Sequence, residues 1–399
     1  MRYTREEVLE YVAEEDVKFI RLAFCDVYGR QKNISIMPSE LESAFEYGVA
    51  IDGSAISGFD VHVRSDLFLQ PDPDTLTVLP WRPEHGRVVR MFCSVSYPDR
   101  RPFENDARAL LKKAVADAAE KGVSFAFGPE LEFYLFRTDD SGEPTSVPYD
   151  RAGYMDIAPD DRGENVRREV CLTLEQMGII PEASHHEEGP GQNEIDIRYT
   201  DALTAADNTM TLRTVVKTIA ARSGLYADFS PKPMDGRPGN GFHMNISVSD
   251  PEKLPNVMAG VMARIREMTL FLNPSEASYQ RLGKGKAPAY ISWSHSNRSQ
   301  LIRIPATRTG RARLELRSPD PETNPYIAFA LIIYAGLSGI EDCMTPPPEA
   351  DMNLYAADEE TLRGYEKLPE SRGEAVRCAK KSEFIQRYIP KTLLSAYCK

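Results

Sequence analysis

The stretch Gly128–Phe136, GPELEFYLF, puts Glu130 and Glu132 on one side of an extended chain and Leu131, Phe133 and Leu135 on the other. Successive side chains of a strand point to opposite faces, so the alternation predicts a half-polar strand. Four more segments repeat the pattern. In 191–199, GQNEIDIRY, the residues Glu194, Asp196 and Arg198 oppose Ile195 and Ile197. In 241–248, GFHMNISV, His243, Asn245 and Ser247 oppose Phe242, Met244 and Ile246. Arg303 opposes Ile302 and Ile304, and Arg313, Glu315 and Arg317 oppose Leu314 and Leu316. A merely solvated face is ordinarily Thr, Lys, Gln and Ser. This one is Glu, His and Arg, with no Lys. Carboxylates and an imidazole on one face suggest hard divalent cations. Arginines among them suggest an anionic substrate.

The smallest set carrying this chemistry is Glu130, Glu132, Glu187, Glu194, His243 and Glu315. Five carboxylates gathered together repel, so cations must neutralise them or their pKa values must rise. A mixed Glu/His set suits magnesium or manganese better than calcium. Two such ions beside arginines describe a phosphoryl-transfer site. Neither a G-x-x-x-x-G-K-[ST] loop nor a dinucleotide fingerprint occurs. A bound nucleotide would therefore be held through metals and arginines. A single strand glutamate is ordinarily a solvated side chain, and His185-His186 beside Glu187 and Glu188 reads equally as a surface loop. Co-occurrence of these residues across several strands is what sets them apart from scattered surface charges.

The chain has 399 residues, 42% hydrophobic and 27% charged, with a formal charge of −12. That length supports a large core and more than one domain. The acidic balance argues against general binding to nucleic acid or anionic membranes. The N-terminus MRYTREEVLE is charged from residue 2 and does not read as a signal peptide. No apolar run is long enough to cross a bilayer. Six cysteines (25, 93, 171, 343, 378, 398) lie scattered without a C-x-x-C. They predict reduced thiols, a cytoplasmic location and no zinc. Cys398 reads as the exposed one.

Thr4-Arg-Glu-Glu7 is a capping box opening a first helix. Strands follow at 17–27, 33–37, 75–79 and 87–95, with Ser39 capping a short helix between them. Pro98–Pro102 reads as a linker. Beyond it, helices at 104–121, 164–177, 202–223, 254–272 and 324–341 alternate with the polar-faced strands. The last fifty residues are charged and helical in pattern.

The motifs IDGSAISGF (51–59), GPELEF (128–133), EASHHEEGPGQNEID (182–196), FSPKPMDGRPGNGFHMNIS (229–247), NRSQLIRIP (297–305) and RLELRSPDPETNPY (313–326) follow one another along the chain. Together they resemble bacterial type I glutamine synthetase, nearest its alpha subtype. The resemblance implies an α+β fold. A small N-terminal β-grasp domain would span residues 1–100. A catalytic domain with a curved antiparallel sheet flanked by helices would span 101–399. It implies active sites between subunits of a six-membered ring, or of two such rings stacked as a dodecamer. Its cofactors would be ATP and Mg2+ or Mn2+. Glu132, Glu187 and Glu194 would hold one ion, and Glu130, His243 and Glu315 the other. Arg298, Arg303 and Arg313 would face nucleotide phosphate, with Tyr199 and Ser247 bordering the nucleotide. Arg281 and Arg317 would hold glutamate and the transferred phosphoryl group. Asp52, from a neighbouring subunit, would help deprotonate ammonium.

Several positions depart from that pattern. The family's flap carries a glutamate; here Arg281–Pro288, RLGKGKAP, is one residue shorter and has none. Lys284 and Lys286 place positive charge there instead. Residues 238–241, PGNG, replace the usual substrate loop, Ala55 replaces a serine, and Val61 stands where the alpha subtype has a regulatory arginine. The tail lacks the long segment that locks rings together. The primary expectation is ATP-dependent ligation of ammonia to the glutamate side chain through a γ-glutamyl phosphate. The alternatives are a γ-glutamyl–amine ligase using a larger amine, and a non-catalytic nucleotide-binding member.

Overall fold

A computed structural model describes residues 3–59, 65–82, 85–306 and 312–399. Val61 lies outside the described residues. The described residues form two sheets. The first contains β1 (Val17–Cys25), β2 (Gln31–Ile36), β3 (Val49–Asp52), β4 (Asp66–Pro71), β5 (Thr77–Val78) and β6 (Arg87–Ser96). Its order is β2-β1-β6-β4-β3, with β5 also on β6. β1 and β6 run parallel at the centre, and the other pairs are antiparallel. This β-grasp sheet packs against α1 (Arg5–Glu14) and α2 (Leu41–Tyr47).

Local chemistry explains most of its boundaries. Thr4 accepts from the Glu7 amide while the Glu7 carboxylate accepts from Thr4, a complete capping box. Ser39 does not cap α2: it lies inside a 3₁₀ turn, Pro38–Glu40, where proline has fixed the backbone one residue earlier. The predicted linker at 98–102 is instead a tight turn. Tyr97 donates to the Arg101 carbonyl at 2.9 Å, and Ser96 bridges Pro102.

The second sheet contains β7 (Phe125–Thr138), β8 (Pro144–Pro148), β9 (Pro181–His186), β10 (Gln192–Ile197), β11 (Thr200–Asp201), β12 (Leu225–Asp228), β13 (Phe242–Val248), β14 (Trp293–His295), β15 (Ile302–Ile304) and β16 (Leu314–Leu316). The main order is β14-β15-β16-β13-β7-β10-β9, and all five segments read as polar-faced strands lie in it. Helices α3 (Ala107–Glu120), α4 (Glu164–Gln176), α5 (Ala202–Arg222), α6 (Leu254–Leu272), α7 (Glu276–Arg281) and α8 (Pro325–Glu341) accompany it. Then come α9 (Glu359–Leu362), α10 (Arg372–Lys381), α11 (Glu383–Tyr388) and α12 (Lys391–Tyr397).

The apolar face of the sheet is the core. Phe127 of β7 stacks on Phe329 of α8 at 4.0 Å, and Phe242 of β13 meets the same ring. α8 is apolar nearly all round and almost wholly buried, as a central core helix should be. α6 approaches it so closely that a Cβ on Gly260 would lie 2.1 Å from the Ala335 carbonyl oxygen. With the apolar face committed, the Glu/His/Arg face has to point away from the core.

A buried ionic junction joins the two sheets. Arg108 of α3 donates two hydrogen bonds to Asp207 of α5, at 3.0 and 2.8 Å, and one to Asp72 of the β-grasp unit, at 2.8 Å. Tyr326 donates to the same Asp207. Burial pushes the Asp72 carboxyl up, but Arg108 and Lys112 outweigh it and hold it below its ordinary value. Removing one partner of a buried pair costs about 3–5 kcal/mol, because the other charge is stranded. Arg108→Met should therefore lower the urea midpoint of the assembled protein markedly at fixed protomer concentration. A midpoint unchanged from wild type would show that the junction contributes nothing.

Candidate active site

Strand register brings the polar residues together. Across β7–β10, Glu132 stands opposite Glu194 and Glu130 opposite Asp196. Across β7–β13, Glu130 stands opposite His243. Across β13–β16, Asn245 faces Glu315, and across β15–β16 Arg303 faces Glu315. On the far side Glu194 faces His185 of β9. Like charges directly opposite are destabilising in a sheet. Two such carboxylate pairs, side by side, are a cost that folding alone does not explain.

Ligand-type atoms of Glu130, Glu194 and His243 all lie within 4.8 Å of one another, as do those of His185, Glu187 and Glu194. His243 Nδ1 is 3.4 Å from Glu130 and 3.9 Å from Glu315, and its Nε2 is 3.9 Å from Glu132. Donors orient the acids. The Gly241 amide donates to Glu132 at 2.8 Å, Gln192 donates to it at 3.0 Å, and Asn245 donates to Glu130 at 2.6 Å. Both Glu315 oxygens are taken, one by Arg303 and the other by Arg317.

The electrostatics fit a cation site. Burial pushes the Glu194 carboxyl well above the ordinary range, and the charges of Asp196, Glu132, Glu130 and Glu187 add to it. Burial also opposes ionisation of Glu130, but the hydrogen bond and charge of His243 hold it low. Such crowding of buried carboxylates with two imidazoles, His243 and His185, is relieved by hard divalent ions. The donor set therefore fits two ions.

With the exception of Asp52, the remaining predicted residues lie on the second sheet or on segments that adjoin its strands. Tyr199 packs its ring against Gly128; its hydroxyl is buried without a partner among the described residues, and burial, more than the charges of Arg313 and Glu130, pushes its pKa up. Arg313 has a buried, unpartnered Nε. Ser247 stands opposite Ala126 near the end of β13. Arg281 is buried and donates to the Ser318 carbonyl at 2.7 Å and to the Arg317 carbonyl at 3.3 Å. The Arg298 side chain is exposed, while its carbonyl accepts from Arg317 and from the Tyr355 hydroxyl. Asp52 lies apart from them, exposed at the end of β3, where it accepts from the Ser54 amide and hydroxyl.

Two features escaped the sequence reading. His186 is fully buried, not on a surface loop. It holds Asp150 at 2.9 Å and the Glu187 carbonyl at 2.6 Å, bracing the loop that carries Glu187. Asp161, Arg167 and Asn193 extend this buried network. His185 joins the carboxylates directly, 2.9 Å from Glu187 and 3.8 Å from Glu194. β9 runs Pro-Glu-Ala-Ser-His-His and lacks the alternation that would have marked it as a strand. Among the thiols, Cys343 is the exposed one, and Cys398, at the C-cap of α12, is half-buried.

The family model described as "Glutamine synthetase, beta-Grasp domain" matches residues 16–98, and "Glutamine synthetase, catalytic domain" matches 104–399. The chain belongs to the glutamine synthetase family. A glutamine synthetase of Clostridium saccharobutylicum is 45% identical over 97% of this chain and 92% of its own length. One from Methanosarcina mazei is 45% identical over 99% and 92%. Among solved structures, GmaS in complex with ADP superposes with a TM-score of 0.88 at 29% identity, covering 98% of this chain and 93% of that one. Plasmodium falciparum glutamine synthetase shares the fold, with a TM-score of 0.86 at 21% identity. Membership makes this chain a ligase of the glutamine synthetase type, joining ammonia to glutamate at the expense of ATP. Among the described residues no helix is long and apolar enough to cross a membrane.

Proposed function

We propose that glutamate is activated and amidated on the polar face of the second sheet, with Glu132, Glu187 and Glu194 holding one Mg2+ or Mn2+ and Glu130, His243 and Glu315 the other. The observation that carries this reading is the register that gathers two groups of ligand-type atoms side by side, Glu130 with Glu194 and His243, and His185 with Glu187 and Glu194, each within 4.8 Å. When bound, the ions neutralise phosphate charge and polarise the transferred phosphoryl group. The rest of the work falls to the chain itself. Arg298, Arg303 and Arg313 neutralise the phosphates of ATP, and Tyr199 and Ser247 border the nucleotide. Arg317 bridges Glu315 to the reacting region, and Arg281, locked against two backbone carbonyls, fixes the substrate end. The glutamate carboxylate takes the γ-phosphoryl group, and an amine then displaces phosphate. Asp52 of an adjoining subunit accepts the ammonium proton, which makes the working unit an oligomer built from six-membered rings. The GmaS neighbour is a complex with ADP, which supports a nucleotide as ligand here. The direct test is ATP turnover with glutamate against a panel of amines including ammonium. Turnover that ignores glutamate would refute the proposal.

The amine site carries an unusual charge arrangement, which keeps a larger amine in view as acceptor. Lys286, on the shortened loop after α7, pairs with Glu188 at 2.6 Å and lies 5.3 Å over the Tyr154 ring. Tyr154 in turn meets His185 edge-on at 5.5 Å. The pairing removes a negative charge beside Glu187 that would otherwise attract ammonium. Freeing one partly exposed charge changes cation binding by about two- to fivefold. Lys286→Gln should therefore lower the ammonium KM by that factor and leave the glutamate KM unchanged. Steady-state kinetics decide it. An ammonium KM that rises or stays fixed would remove Lys286 from amine selection.

A further inference from the structure

A second site lies between the two sheets, clear of the carboxylate cluster. It is a groove of about 940 Å3, walled by the β-grasp sheet, by α3 and by residues 386–391 of the C-terminal helices. Cavities of roughly 300–1,000 Å3 at domain junctions are where small ligands usually bind. The floor is apolar, formed by Phe45, Val95, Phe103, Leu110 and Ile389. Six cationic side chains but only three carboxylates line it, on a chain whose formal charge is −12.

The three acids are engaged. Asp106 is buried and accepts from the Val95 and Arg108 amides; Glu104 accepts from the Tyr97 hydroxyl; Glu46 is bonded to its neighbour Tyr47. Lys112 and Lys113 are also paired, with Asp72 and Asp117. Arg5, Arg100, Arg387 and Lys391 remain, and among the described residues none of the four has a carboxylate within 4.0 Å. Arg5 and Arg387 instead lie over the rings of Phe45 and Tyr388.

Arg100 adds an independent sign. Its backbone sits at φ 68°, a region few residues other than glycine adopt. The tight turn at 97–101 nevertheless holds it there, with its guanidinium pinned to the Glu46 carbonyl at 3.1 Å. Strain of this kind persists where surrounding structure fixes it, commonly at ligand sites.

We propose that this groove binds a small organic anion, an apolar ring-sized body carrying a phosphate or carboxylate. Guanidinium groups suit either anion through paired N–H donors, and the apolar floor suits the body. The volume fits a small molecule better than a folded partner. Since the walls come from both domains, an occupant would tie the β-grasp unit to the catalytic unit and stabilise the assembled protein.

The probe is 8-anilinonaphthalene-1-sulfonate, an aromatic body with a single anionic group, followed by fluorescence on the assembled protein. Saturable binding at one site per chain is expected, weakened at least about tenfold in Arg387→Glu/Lys391→Glu. Leu110→Trp, which fills the groove without changing charge, should weaken it comparably. Displacement by phenyl phosphate or by benzoate identifies which anion the site prefers. No saturable binding, binding untouched by both variants, displacement by neither anion, or loss only on adding MgATP would each overturn the proposal.

Discussion

Replacing Glu132 or Glu194 by alanine is expected to abolish glutamine formation while the protein stays folded. These carboxylates crowd a buried face where phosphates must approach. Without divalent ions, ATP meets negative charge with only the arginines to offset it. Loss of a preorganised electrostatic contact of this kind costs about 10²–10³ in turnover, and losing a metal site costs more. Excess chelator should have the same effect on the wild-type enzyme, reversed by added Mg2+ or Mn2+. Folding should survive, because each substitution removes a mutually repelling carboxylate instead of an apolar core group. Circular dichroism and turnover measured on the same samples separate the two outcomes. Full activity in excess chelator would contradict the two-ion reading.

Asp52→Ala is the second large effect, and its rescue is more informative than its loss. Asp52 ends β3, exposed, and accepts hydrogen bonds from Ser54 and from the Ser65 side chain. Among the described residues, no contact ties it to the carboxylate cluster on the other sheet. If it serves a neighbour's site, Asp52→Ala and Glu132→Ala should complement when co-expressed. A random mixture within a closed ring would recover up to about a quarter of wild-type activity. Each variant alone should be inactive. Absence of rescue, or an active monomer by light scattering, would place Asp52 outside the reaction or within its own subunit.

Much of this site was legible in the sequence because strands write their faces with a period of two. Glu130, Glu132, Glu194, His243 and Glu315 stood out for that reason alone, and register then made them neighbours. Two-residue periodicity says nothing about which strands adjoin, so the convergence itself had to come from the structure. His185 was harder to read, because β9 carries no apolar alternation. His186 was harder still: its role depends on Asp150, thirty-six residues away and brought close only by folding. The arginine clamp on Glu315 was also hidden. Arg303 and Glu315 are twelve residues apart in the chain and meet only across β15–β16. The helices were read nearly to their ends, since α6 and α8 are long and strongly apolar. The short strands β11 and β14 carry too few residues to show any period.

The loop after α7 illustrates a different limit. Its two lysines read as free positive charge near an ammonium site. In the structure Lys286 is spent on Glu188, while Lys284 adds its charge to that of Lys232. Sequence counts charges; only geometry shows which are already neutralised.

The central claim is that the glutamate side-chain carboxylate attacks the γ-phosphoryl group of ATP on the face built by β7, β10, β13 and β16. Glutamate labelled with 18O in that carboxylate tests it most directly, with mass analysis of the phosphate released during turnover with ammonium. The account predicts one labelled oxygen carried into phosphate for each glutamine formed. Glutamine formed with unlabelled phosphate would contradict it.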